Sequence, residues 1–191
     1  MKPATEFTVE PLEWEPYITP VNLDKATDAQ RDALKITPSN KKISNYVLTL
    51  ALDPESLAHR TPLFNAIMYG PAGLPRSERE LGAVAASIVN HCIYCASTHA
   101  ARYNQLTSRP EIMQEIFSAG TQAALDEHSQ GLFDFAVHLS RTPPALSRDD
   151  VSVLECLGLT ALQMFDLVLS AAIFGWANRL MHPLGQAMKA Q

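Results

Sequence analysis

The chain has 191 residues, 47% of them apolar, and a formal net charge of −5. That is enough hydrocarbon for one domain or two small fused repeats, and the acidic balance without a long Lys/Arg run excludes a nucleic-acid footprint. The opening residues MKPATEFTVEPLEWEP hold no apolar secretory core, and the longest apolar run, 167–177, is too short to span a bilayer; the expectation is a cytoplasmic protein with no membrane partner.

Residues 1–21 carry Pro3, Pro11, Pro16 and Pro20 among Phe7, Trp14 and Tyr17. That pattern forbids regular helix and predicts an extended N-terminal arm, either packed on its own domain or a neighbouring subunit, or frayed. Residues 22–191 read as a single all-α domain, with halves at about 39–120 and 121–191. A short helix is expected over 24–35. The next begins with Ser39 as N-cap and carries Ile43, Tyr46, Val47 and Leu50 until Asp53-Pro54 starts another, in which Pro62 predicts a kink before the Gly70-Pro71-Ala72-Gly73 loop. Helices then follow over 77–89 and 91–105, from Pro110 to Gly120, and over 126–140 up to Pro143-Pro144. Ser147-Arg-Asp-Asp echoes Ser77-Glu-Arg-Glu ahead of a further apolar run, which suggests a degenerate internal repeat. Thr160-Ala-Leu-Gln163 is a capping box, and the helix behind it is apolar nearly all round, as a central or subunit-interface helix would be. Cys156 reads as a buried packing residue.

The chemistry concentrates in Glu80 to His99, ELGAVAASIVNHCIYCASTH. Cys92 and Cys95 form a Cys-x-x-Cys pair, which without a secretory signature points to redox chemistry or metal binding rather than a structural disulfide. Cys92, Cys95 and His99 share one helix face, so a base can reach a thiol. Glu80 would lie ~28 Å from His99 along a single straight helix. The helix must therefore break; with Asn90 as turn and N-cap, Glu80 and His99 meet at similar height, and the cysteines enter the first turns of the second helix, where free N–H groups favour a thiolate.

Glu, eleven residues, Cys-x-x-Cys, three residues, His resembles the motif of the alkylhydroperoxidase D branch of the carboxymuconolactone decarboxylase-like superfamily, and "LPRSERELGAVAASIVNHCIYCASTHA" resembles its peroxidase-related members. The resemblance runs from about Lys41 to Gly185 and is specific between Glu80 and His99. It implies an all-α helical bundle that assembles into homo-oligomers and reduces peroxides with a dithiol or protein-thiol reductant, without haem or flavin. It further implies Cys95 as the peroxide-attacking thiolate, Cys92 as the partner that closes the disulfide, His99 as base and Glu80 as completing the proton relay. The best-characterised relatives carry a second histidine where this chain has Tyr94.

The competing readings are concrete. Zinc would find three ligands in Cys92, Cys95 and His99 and would need Glu80, His91 or a distant group as fourth. A c-type haem site requires histidine where Ala96 stands. Ser77-x-x-Glu80 is also a capping-box pattern, which would explain Glu80 without catalysis. His59, His91, His128, His138 and His182 read as ordinary, although His91 borders Cys92. The functional expectation is a thiol peroxidase without metal or cofactor. Its alternatives are a redox sensor or disulfide-exchange protein using the same dithiol, and a lactone decarboxylase that needs no cysteine pair.

Overall fold

The computed structural model describes residues 2–35 and 43–190. Nine α-helices among them are α1 Asp28–Leu34, α2 Asn45–Leu50, α3 Pro54–Tyr69, α4 Arg76–Val89, α5 Ile93–Thr107, α6 Pro110–Ala119, α7 Glu127–Ser140, α8 Arg148–Cys156 and α9 Ala161–Leu184. The fold is all-α, as expected. Beside the helices lies an antiparallel ribbon of β1 Leu12–Pro16 and β2 Gly185–Lys189, with Leu12 opposite Lys189 and Pro16 opposite Gly185. The arm is thus extended and lies on its own chain: Trp14 is buried edge-on against Tyr46, and Phe7 stacks on Phe117 of α6.

Helix α4 is the centre of the bundle, packed on α5, α7 and α9. Ala83, Ala85 and Ala86 on it are fully buried and bring its neighbours close. Gly82 permits a close approach, because a Cβ there would sit 2.6 Å from Ser170 Oγ of α9. Helix α9 is long and apolar enough, by length and composition alone, to cross a membrane. Here its inner face, Leu167, Ala171, Phe174 and Met181, fills the core. Leu162, Phe165 and Trp176 on its other side are exposed.

Helix ends show where local signals were followed. Thr160 and Gln163 form the capping box before α9, and Asp53 caps α3 over Pro54. Helix α3 continues through Pro62 to Tyr69. The proposed N-cap Ser39 lies outside the described residues; α2 starts behind Ser44, which accepts from Val47 N. Cys156 is exposed rather than buried, because α8 is short and sinks only Leu154 into the core.

The start of α4 is fixed by a buried arginine. Arg79 donates to the carbonyls of Ile67, Ala72 and Leu74 and to Asp166 Oδ2 of α9 at 2.9 Å, and Leu74 N donates to the same carboxylate. This arrangement satisfies the buried guanidinium and pins the loop from which α4 departs.

Candidate functional site

The break between α4 and α5 is where the sequence requires it, with a different local geometry. Asn90 is the C-cap of α4, not the N-cap of α5: its N–H and its Nδ2 both donate back to Ala86 O. His91 takes the left-handed conformation (φ 53°), and Cys92 is the residue that starts α5, its N–H bound to Ser87 O at 2.9 Å. Helix α9 holds this reversal. Asn178 Oδ1 accepts from Asn90 Nδ2, Asn178 Nδ2 donates to Ser87 Oγ, and His182 Nε2 donates to Asn90 O at 2.7 Å.

The hairpin brings Glu80 and His99 together. Glu80 Oε2 accepts from His99 Nδ1, Glu80 Oε1 lies 3.4 Å from Arg76 Nε, and the Glu80 side chain is 0% exposed. The imidazole stands edge-on to Phe174, ring centroids 4.4 Å apart. Ser77 forms no cap, since α4 already begins behind Pro75. Burial opposes ionisation of Glu80, but the charge and hydrogen bond of His99, with Arg102 and Arg76, outweigh it and keep the carboxyl below its ordinary value. With Nδ1 committed to Glu80, Nε2 is the ring nitrogen left to exchange a proton.

Cys92 and Cys95 are both buried free thiols. The hydrogen bond from the Cys95 side chain holds Cys92 below its ordinary pKa against the opposing effect of burial, with Cys95 N–H and Asn178 adding to the lowering. That bond, burial and the charge on Cys92 raise Cys95 well above its ordinary value. The pair loses its first proton as a unit, with the resting charge on Cys92. Cys92 borders a cleft of about 200 Å³ walled by Trp14 and Tyr17 of the arm, His91, Tyr94, His182 and the start of β2. His182, read from sequence as ordinary, therefore sits beside the dithiol. Among the described residues no group of three or more His, Cys, Asp or Glu is placed to hold a metal ion.

Sequence reasoning passed over Asn178. Its signal was an amide within an apolar helical run, a polar group that must find partners once buried. Arg60 and Tyr46 were also missed, and they lie close enough for the charge of Arg60 to favour ionisation of Cys95 and Tyr46.

Residues 54–137, α3 to most of α7, match the carboxymuconolactone decarboxylase family and contain all four motif residues. No curated protein matches the chain. Among solved structures, an uncharacterized peroxidase-related protein from Silicibacter sp. TM1040 is 25% identical, with TM-score 0.71 over 86% of this chain and 88% of that one. An uncharacterized peroxidase-related protein from Ralstonia eutropha JMP134, an alkylhydroperoxidase AhpD core, is 24% identical, with TM-score 0.74 over 88% of each. The debrominase Bmp8 is 19% identical, with TM-score 0.72 over 87% of this chain and 89% of its own. The family match lies over the motif helices, and around them this chain shares its fold with the two peroxidase-related proteins.

Proposed function

We propose that this protein is a thiol peroxidase that reduces hydroperoxides through Cys95 and Cys92, with His99 and Glu80 as its proton relay and a dithiol or protein thiol as electron donor. The observation that carries the reading is the buried Glu80–His99 pair, with His99 one helical turn beyond Cys95. A single proton shift along the Cys95–Cys92 hydrogen bond, or transfer to His99 Nε2, yields the Cys95 thiolate. That sulfur attacks the outer peroxide oxygen and the O–O bond breaks. Cys95 becomes a sulfenic acid, and the departing alkoxide takes a proton from the relay. Cys92, whose charge the site already favours, then attacks the Cys95 sulfur; the disulfide forms and hydroxide leaves as water. A donor dithiol entering through the cleft beside Cys92 restores both thiols and is itself oxidised to a disulfide.

The exposed apolar stripe on α9 fits self-association, and a homo-oligomer at micromolar concentration is expected in sedimentation. Function is tested by adding one equivalent of cumene hydroperoxide to the reduced chain. The reading expects loss of the Cys92 and Cys95 thiols with Cys156 untouched, then turnover with dithiothreitol. Persistence of all three thiols would overturn it.

A further inference from the structure

Arg60 of α3 is a cation without a counter-ion among the described residues. Its guanidinium carbon lies 4.2 Å from the centroid of the Phe64 ring, and among the described residues it makes no ion pair. Its Nε is buried with no hydrogen-bond partner among the described residues. The hydroxyl of Tyr46 is in the same condition, on a residue only 8% exposed. Two buried polar groups with no partner are costly to a fold and mark a place where something else supplies the acceptor. The nearby carboxylate of Asp53 does not, because it is committed to Ser56 N and Oγ at the start of α3.

Arg60 also borders a cleft of about 320 Å³ between α2, α3 and the end of α9. Leu50, Leu57, Trp176, Leu180 and Leu184 make most of its wall hydrocarbon. Phe64 continues inward to Phe174 (centroids 5.9 Å), which carries His99 on its other contact. An apolar cleft bordered by a cation that makes no ion pair among the described residues, with packed rings running from it to the relay, complements an anion with an apolar body.

We propose that Arg60 and Tyr46 form a carboxylate-binding subsite, so that the substrates of this dithiol are amphipathic anions, organic hydroperoxides that carry a carboxylate on an apolar chain or ring. The substrate class rests on the peroxidase reading, but the subsite can be tested without peroxide. Iodoacetate and iodoacetamide offer a thiolate the same carbon and the same leaving iodide, and differ by a carboxylate against a neutral amide. Their rates at Cys95 of the reduced full-length chain, resolved from Cys92 and Cys156 by fragment-ion mass spectrometry of the peptides, give a ratio that reads the subsite. Arg60→Met is expected to lower that ratio by about tenfold or more at Cys95, with no change at Cys156, and Tyr46→Phe to lower it several-fold. Arg60→Lys should keep part of it. Octanoate should protect Cys95 of the unmodified chain from iodoacetamide better than octanamide does, a measurement that stands even if Arg60→Met does not fold. An unchanged ratio in Tyr46→Phe together with equal protection by the two octanoyl compounds would overturn the proposal. Because no peroxide takes part, loss of the charge preference and absence of peroxide turnover are read separately.

Discussion

The Glu80 carboxylate, which solvent does not reach, accepts a hydrogen bond from Nδ1 of His99 across the α4–α5 hairpin, a contact between residues nineteen positions apart. Since α4 begins behind Pro75, the glutamate has no capping duty, and its oxygens face His99 and Arg76. An amide in its place can still accept from His99 but cannot take and return a proton. Glu80→Gln is therefore expected to lose about 10²–10⁴ in peroxide turnover, with a stability change of about 1–2 kcal/mol in thermal melts. Full activity would remove Glu80 from the relay.

The two cysteines separate by substitution. Cys95→Ser should abolish peroxide reduction. Cys92→Ser should allow one oxidation that stops at a sulfenic acid, trapped by dimedone and seen by mass spectrometry. The reverse pattern, no oxidation in Cys92→Ser and a trapped sulfenic acid in Cys95→Ser, would show that the attacking and resolving thiols had been assigned the wrong way round.

That Glu80 and His99 meet was legible because one straight helix cannot join them, so the chain had to fold back between. The details of the fold-back were not. Asn suits either end of a helix, and here the decision is made by contacts outside the motif: Asn178 and His182 of α9 receive Asn90 and leave Cys92 to begin α5. Ser77-x-x-Glu80 has the form of a capping box, yet the buried partner His99 outbids a local bond that solvent could replace. Gly185–Lys189 carries no alternating apolar pattern; it is a strand because Leu12–Pro16 lies beside it, a pairing of the two chain ends that no local window contains. Arg60 looks in sequence like any surface arginine, and only its lack of an ion pair among the described residues distinguishes it.

Asn178 should act through Cys92. Its side chain favours the Cys92 thiolate, so Asn178→Ala is expected to move the pH midpoint of iodoacetamide alkylation at Cys92 upward, toward the ordinary thiol value of ~8.5. Ser87 and Asn90 lose a partner in that variant, and a stability loss of about 1–3 kcal/mol should accompany the shift. Loss of stability with an unmoved midpoint would make Asn178 a packing residue only.

The contact between Gly82 and Ser170 sets how closely α4, which carries Glu80, lies on α9, which carries Phe174 and Asn178. A methyl group at position 82 would meet Ser170 Oγ at 2.6 Å and Leu167 Cδ1 at 3.1 Å, while Ser170 Cβ stays at 3.8 Å. Alanine is intrinsically the better helix residue by about 1 kcal/mol, so backbone propensity alone would make Gly82→Ala stabilising. Overpacking of a closed interface costs about 1–3 kcal/mol, and both helices are fixed by the rest of the core, so the net change expected is destabilising. The hydroxyl is the source of most of that cost. It donates to Leu167 O within its own helix and to no other described partner, so Ser170→Ala alone should be nearly neutral. With the hydroxyl gone, only Leu167 must give by a few tenths of an ångström, and Gly82→Ala in the Ser170→Ala background should be neutral or stabilising. The double-mutant cycle, measured by denaturant unfolding, is therefore expected to change the sign of the Gly82→Ala effect, with a coupling of about 1–3 kcal/mol. Equal effects in the two backgrounds would mean that the α4–α9 spacing is not set at this contact.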